Sequence, residues 1–127
     1  MKTPIALGLA LFVGVGMAAT TAAAEDETTS WQISATFSDG GTAVPLCIFQ
    51  QVGDLLSGTC KGPNSFGTAT GVVRGVHIKF TWHAKAYTAI GRTGDFEFSG
   101  VQDPPGTVRG TAINSQGASG EFVATRE

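Results

Sequence analysis

Three features of the 127-residue sequence predict an all-β chain folded as one eight-stranded antiparallel up-and-down barrel. Short segments alternate apolar and polar residues with a period of two, the mark of half-buried strands. Of the 18 glycines, all but Gly8, Gly14 and Gly16 fall after residue 25, at short intervals that read as tight turns. No amphipathic helix of useful length follows residue 25. A two-sheet β-sandwich is the alternative, but a closed barrel leaves no open sheet edge.

In chain order, residues 1–24 read as a signal peptide. Met1-Lys2 is a short positive start, Ile5 to Met17 is almost wholly apolar, and Ala22-Ala23-Ala24 supplies small residues before Glu25. The apolar run is shorter than the roughly 20 residues a membrane span needs. Residues 25–127 then form a single domain destined for the periplasm or for secretion. Without Lys2, 7 basic residues face 10 acidic ones, a net charge of −3. No block of Lys or Arg remains, which argues against nucleic acid or an anionic membrane surface as partner.

Trp31, Ile33, Ala35 and Phe37 alternate with polar residues in the first strand, and Asp39-Gly40-Gly41 turns the chain. Val44 to Gln51 and Leu55 to Lys61 form the next pair, and Thr68 to Val73 a fourth strand. Val76, Ile78, Phe80 and Trp82 define the fifth. Asp95 to Val101, Thr107 to Ile113 and Ala118 to Arg126 complete eight, separated by Asp103-Pro104-Pro105-Gly106 and Asn114-Ser115-Gln116-Gly117. Gly58, Gly100, Gly110 and Gly120 fall inside strands, where they relieve crowding in a tightly coiled sheet.

One register follows from turn spacing and a second from matching the aromatic residues. A two-residue turn at Gly53-Asp54 sets Val52 against Leu55 and therefore Cys47 against Cys60. These are the two cysteines of the chain; an exported protein pairs them most simply as a disulfide, here stapling a hairpin. Zinc would want four ligands, and neither Cys has a second Cys or a His within four positions. In the fifth and sixth strands, setting Trp82 against Phe96 also sets Phe80 against Phe98, an aromatic ladder on one face. The other face then brings His83 opposite Asp95 and Thr81 opposite Glu97.

His83 with Asp95, joined by Tyr87 and Arg92 from the following loop, is the candidate catalytic arrangement: a carboxylate can orient and charge an imidazole for general acid–base work. The plainer interpretation is an ion pair on the solvent side of the barrel. His77 and His83 are about 20 Å apart along a strand, too far to share one metal ion. No metal site or cofactor is expected. Asp95 and Glu97 lie about 7 Å apart on one face, which matches a glycosidase pair in distance alone. No nucleophile elbow, phosphate-binding loop or dinucleotide fingerprint is present.

The aromatic residues carry the ligand-binding expectation. Trp31, Phe37, Phe80, Trp82, Phe96, Phe98 and Phe122 can line one interior, with Tyr87 near a loop; of these Phe37, Phe80, Trp82, Tyr87, Phe96 and Phe98 are the expected ligand-binding residues. Eight-stranded barrels either fill their centre with side chains or hold one small ligand. Ala35, Gly58, Gly100 and Ala124 leave room for a cavity. Leu46 and Ile48 face away from Cys47 and Phe49, so one outer wall is apolar and a second subunit, in a homodimer, would cover it.

Trp31 after Ser30 at the start of the first strand, and Arg126 at the end of the last, give the chain a resemblance to calycins, the superfamily of lipocalins and avidins. The resemblance covers all eight strands, although no Gly stands two positions before Trp31. It implies that Trp31 and Arg126 close one barrel end, cation over indole, and that the barrel holds a small molecule. Biotin is not carried over, because the polar set avidins use for it has no counterpart placed here. Three functions remain open at this point. They are a barrel binding a small hydrophobic or aromatic molecule, a filled-core periplasmic interaction or inhibitor protein, and a small isomerase or lyase using His83 and Asp95.

Overall fold

The computed structural model describes residues 27–127; the expected leader, residues 1–24, lies outside them. The described chain is all β. Its strands are β1 (Glu27–Phe37), β2 (Thr42–Ala43), β3 (Leu46–Val52), β4 (Leu55–Lys61), β5 (Ser65–Arg74), β6 (His77–Ala86), β7 (Gly94–Gln102), β8 (Thr107–Ile113) and β9 (Ser119–Arg126). Each pairs antiparallel with its neighbour, and β1 pairs with β9 to close the barrel.

β2 and β3 form one strand of the eight. Both pair with β1 in a single register, Ala35 against Ala43 and Trp31 against Cys47. Pro45, which has no N–H to give, interrupts the ladder between them. Ile33 N–H still donates to Pro45 O at 3.0 Å, so the seam holds across the break. Edges differ from the sequence reading where hydrogen bonding extends past the alternating pattern. β1 begins at Glu27 rather than Trp31, because Glu27 to Ser30 pair with β3. β6 runs to Ala86, shortening the connection before β7 to residues 87–93. Val76 leaves the fifth strand for the Gly75-Val76 turn and is half exposed.

Both expected registers are present. Cys47 faces Cys60 in the β3–β4 hairpin, with a disulfide between them and Cα atoms 4.0 Å apart. Trp82 faces Phe96, Phe80 faces Phe98 and His83 faces Asp95 across β6 and β7.

The interior is packed with aromatic rings in two groups. Phe80 stacks on Phe98 at 4.6 Å between centroids, and Phe49 and Phe122 meet them edge-on at 5.1 Å each. Trp82 stacks on Phe96 at 5.1 Å, and Phe37 joins Phe96 at 5.8 Å. Glycines make room for four of these rings. Phe49 faces Gly58, Phe80 faces Gly71, Phe122 faces Gly110 and Phe37 faces Gly120 directly across the ladders. Large beside small is how facing positions fill a narrow core without strain. At Gly120 the need is also backbone: a Cβ there would overlap the carbonyl oxygen of Thr36 at the β1–β9 seam.

Candidate functional site

Hairpin connectivity sorts the loops into two groups. Residues 38–41, 62–64, 87–93 and 114–118 gather at one mouth, the loop end. The turns at 53–54, 75–76 and 103–106 gather at the other with Glu27 and Arg126, the terminus end.

At the loop end a cleft of about 290 Å³ is bordered by Gly41, Val44, Ser65, Trp82, Ile90, Arg92 and Phe96, among others. Its floor is aromatic because β6 and β7 present Trp82 and Phe96 inward, each 3% exposed. Ile90 sits at the rim on the β6–β7 loop and is 80% exposed, an unusual setting for a large apolar side chain. The Trp82 indole Nε1–H is buried and has no hydrogen-bond acceptor among the described residues. Leaving such a donor unmatched costs on the order of 1–3 kcal/mol.

Polar side chains strap this mouth. Arg92 Nη1 donates to Asp39 Oδ2 at 3.3 Å and to Gln116 Oε1 at 3.0 Å, tying the β6–β7 loop to two others. Asn114 Nδ2 donates to Asp39 Oδ2 at 3.2 Å. The Asn114 Oδ1 accepts from the N–H groups of Gln116 and Ala118, 3.0 Å each. Ser65 Oγ donates to Arg92 O at 2.8 Å and accepts from Arg92 N–H at 3.0 Å, bolting the loop to β5. The Gly41 N–H first, then the Asn114 amide and Arg92, hold the Asp39 carboxyl below its ordinary value of 3.8, against a smaller opposing effect of desolvation.

The sequence candidates divide. Trp82 and Phe96 line the loop-end cleft, and Phe37 packs behind Phe96. Phe80 and Phe98 lie deeper, stacked on each other, and Phe80 reaches the wall of the opposite cleft. Tyr87 leaves the interior: its ring packs on Phe66 at 5.8 Å and its hydroxyl meets the carbonyls of Gly62 at 2.7 Å and Pro63 at 2.9 Å. Lys61 Nζ lies 6.0 Å from that ring's centroid. Arg126 faces Trp31 in the ladder, and its guanidinium donates to Glu27 Oε2 at 2.9 Å. Trp31 Nε1 donates to Thr29 Oγ1, also at 2.9 Å.

His83 Nδ1 and Asp95 Oδ1 are 2.9 Å apart on the outer wall, with side chains 47% and 56% exposed. Tyr87 and Arg92 do not join them, since both are engaged with the loop-end carbonyls and side chains. Neither member lines either cleft. Glu97 is likewise exposed on the outer face of β7. Among the described residues, no three His, Cys, Asp or Glu side chains converge on a metal position. No helix among them is long and apolar enough to cross a membrane.

The strap itself was missed in the sequence. Asp39, Asn114 and Gln116 read there as turn formers, and Ser65 had no expected role. Their turn signatures were visible, but only barrel closure brings 39, 92 and 114 together. Comparison with protein families, curated proteins and solved structures finds no match.

Proposed function

We propose that the chain is an exported, calycin-like barrel that binds one small hydrophobic or aromatic molecule at its loop end. The closed eight-stranded barrel supports the resemblance. The disulfide is compatible with an oxidising extracellular compartment, and the apolar leader agrees with periplasmic or secreted residence. The observation that carries the reading is the Trp82–Phe96 floor of the loop-end cleft, with the Trp82 Nε1–H buried and unmatched among the described residues. A ring would rest against Trp82 and Phe96 while one acceptor atom, a carbonyl or ring nitrogen, takes the indole proton.

The test uses the two tryptophans of the chain, each with one indole N–H signal in a ¹⁵N-correlated NMR spectrum. Acetophenone should move the Trp82 indole signal downfield, saturably. Ethylbenzene, nearly the same shape without the acceptor, should bind about tenfold more weakly, the ratio expected for one hydrogen bond to a buried donor. In Trp82→Phe the preference for the ketone should vanish. Equal binding of both compounds, or none of either, defeats the proposal.

A filled-core interaction protein is the second reading, favoured by the ring-packed interior and by exposed Val44, Leu46 and Ile48 on one outer wall. Failure of the NMR test together with concentration-dependent dimer mass in sedimentation would move the assignment there.

A further inference from the structure

The terminus end carries a second cleft, independent of the loop-end reading. It holds about 130 Å³ and is walled by Ile33, Phe49, Leu56, Ile78, Phe80 and Val108. Phe49 and Phe80 meet edge-on in its floor, 5.1 Å between centroids. Its size is close to that of an engineered apolar cavity of about 150 Å³ that accepts benzene. That volume holds one ring or a short chain.

The rim decides the chemistry. Arg126 and Glu27, the charged residues that border the cleft, are paired with each other at 2.9 Å. Gln51 Nε2 is committed to Gly53 O at 3.0 Å. Gln102 also borders the cleft, partly buried, and its side-chain amide has no hydrogen-bond partner among the described residues. An amide offers both a donor and an acceptor, which one hydroxyl can match in both senses.

We infer that the terminus end is a second binding site, for an uncharged single-ring alcohol or phenol held ring-inward, its hydroxyl on Gln102. The ring takes the apolar walls and the hydroxyl stays at the rim beside Trp31. The two sites therefore report through different tryptophans.

Benzyl alcohol is the probe. Titrated into ¹⁵N-labelled protein, it should move the Trp31 indole signal and saturate between about 0.1 and 10 mM, the range an eight-atom fragment reaches. Ala124→Leu extends a side chain into the cleft and should abolish that shift while acetophenone still moves the Trp82 signal. Because Ala124 is buried and the larger residue could disturb folding, Gln102→Ala provides the second arm, with binding about fivefold weaker, the value of one hydrogen bond. A Trp31 signal that never moves, moves without saturating, or still saturates in folded Ala124→Leu overturns the proposal. Affinity unchanged in Gln102→Ala overturns the hydroxyl's role.

Discussion

The two mouths of this barrel are held by different physical means. At the loop end, side chains far apart in sequence cross the opening: Arg92 reaches Asp39 and Gln116, and Asn114 reaches Asp39. Gly40, Gly94 and Gly117 are at positive φ at the loop end, as Gly53, Gly75 and Gly106 are at the terminus end, whose connections are two-residue and four-residue turns. One side-chain ion pair, Arg126 with Glu27, adds to them there. The strapped mouth can be altered one contact at a time without touching the ladders. The turned mouth cannot, because its turns fix the strand registers.

The largest expected effect falls on the strap. Asn114 is 4% exposed and supplies three hydrogen bonds, two of them to the N–H groups of its own turn. Asn114→Ala should cost about 2 kcal/mol by urea unfolding, since it leaves partly buried donors unmatched. It should also broaden the NMR signals of residues 87–93 while leaving those of 53–54 sharp. Equal broadening at both mouths would mean that the two are not held by different contacts.

At the opposite mouth, Gly75 has φ of 62° and open space around its missing Cβ. Gly75→Ala should therefore cost about 1 kcal/mol, the strain of a side chain in the left-handed region. No clash adds to it. A much larger loss would mean that the turn is held by something other than backbone preference.

The smallest effect is set by acid. The Asp39 carboxyl is held below its ordinary value by the Gly41 N–H, Asn114 and Arg92. A depressed carboxylate contributes stability that is present above its unfolded value of about 3.8 and is lost as pH falls through the lower, folded value. The strap should thus loosen only below that value, with the Trp82 indole signal shifting first. In Asp39→Asn this acid-dependent shift should be absent.

Much of the frame was legible because period and turn chemistry are local. The Gly53-Asp54 turn fixes the Cys47–Cys60 facing pair, whereas alternation in 76–82 and 95–101 gives only the shared face, and the alignment of Trp82 with Phe96 rests on matching the aromatic positions. Pro45 was visible, yet its interruption of the strand was not drawn from it. The strap was not legible, because residues 39, 92 and 114 meet only once β1 closes on β9. Tyr87 counts among the ligand-binding aromatics from its place near a loop, whereas β6 ends at Ala86 and the Tyr87 ring packs on Phe66 away from either cleft. Trp82 was named for its ring; that its N–H goes unmatched depends on neighbours no spacing rule supplies.

The pairing of phenylalanine with glycine across the ladders makes the interior modular. A ring shortened at Phe49 or Phe122 stands over Gly58 or Gly110, which has no side chain to swing into the gap. The backbone on either side is pinned by two ladders, so collapse is limited and the excised volume persists as a chamber. Such a barrel can be hollowed ring by ring from a solid rod toward a vessel, with its outer wall left as it is.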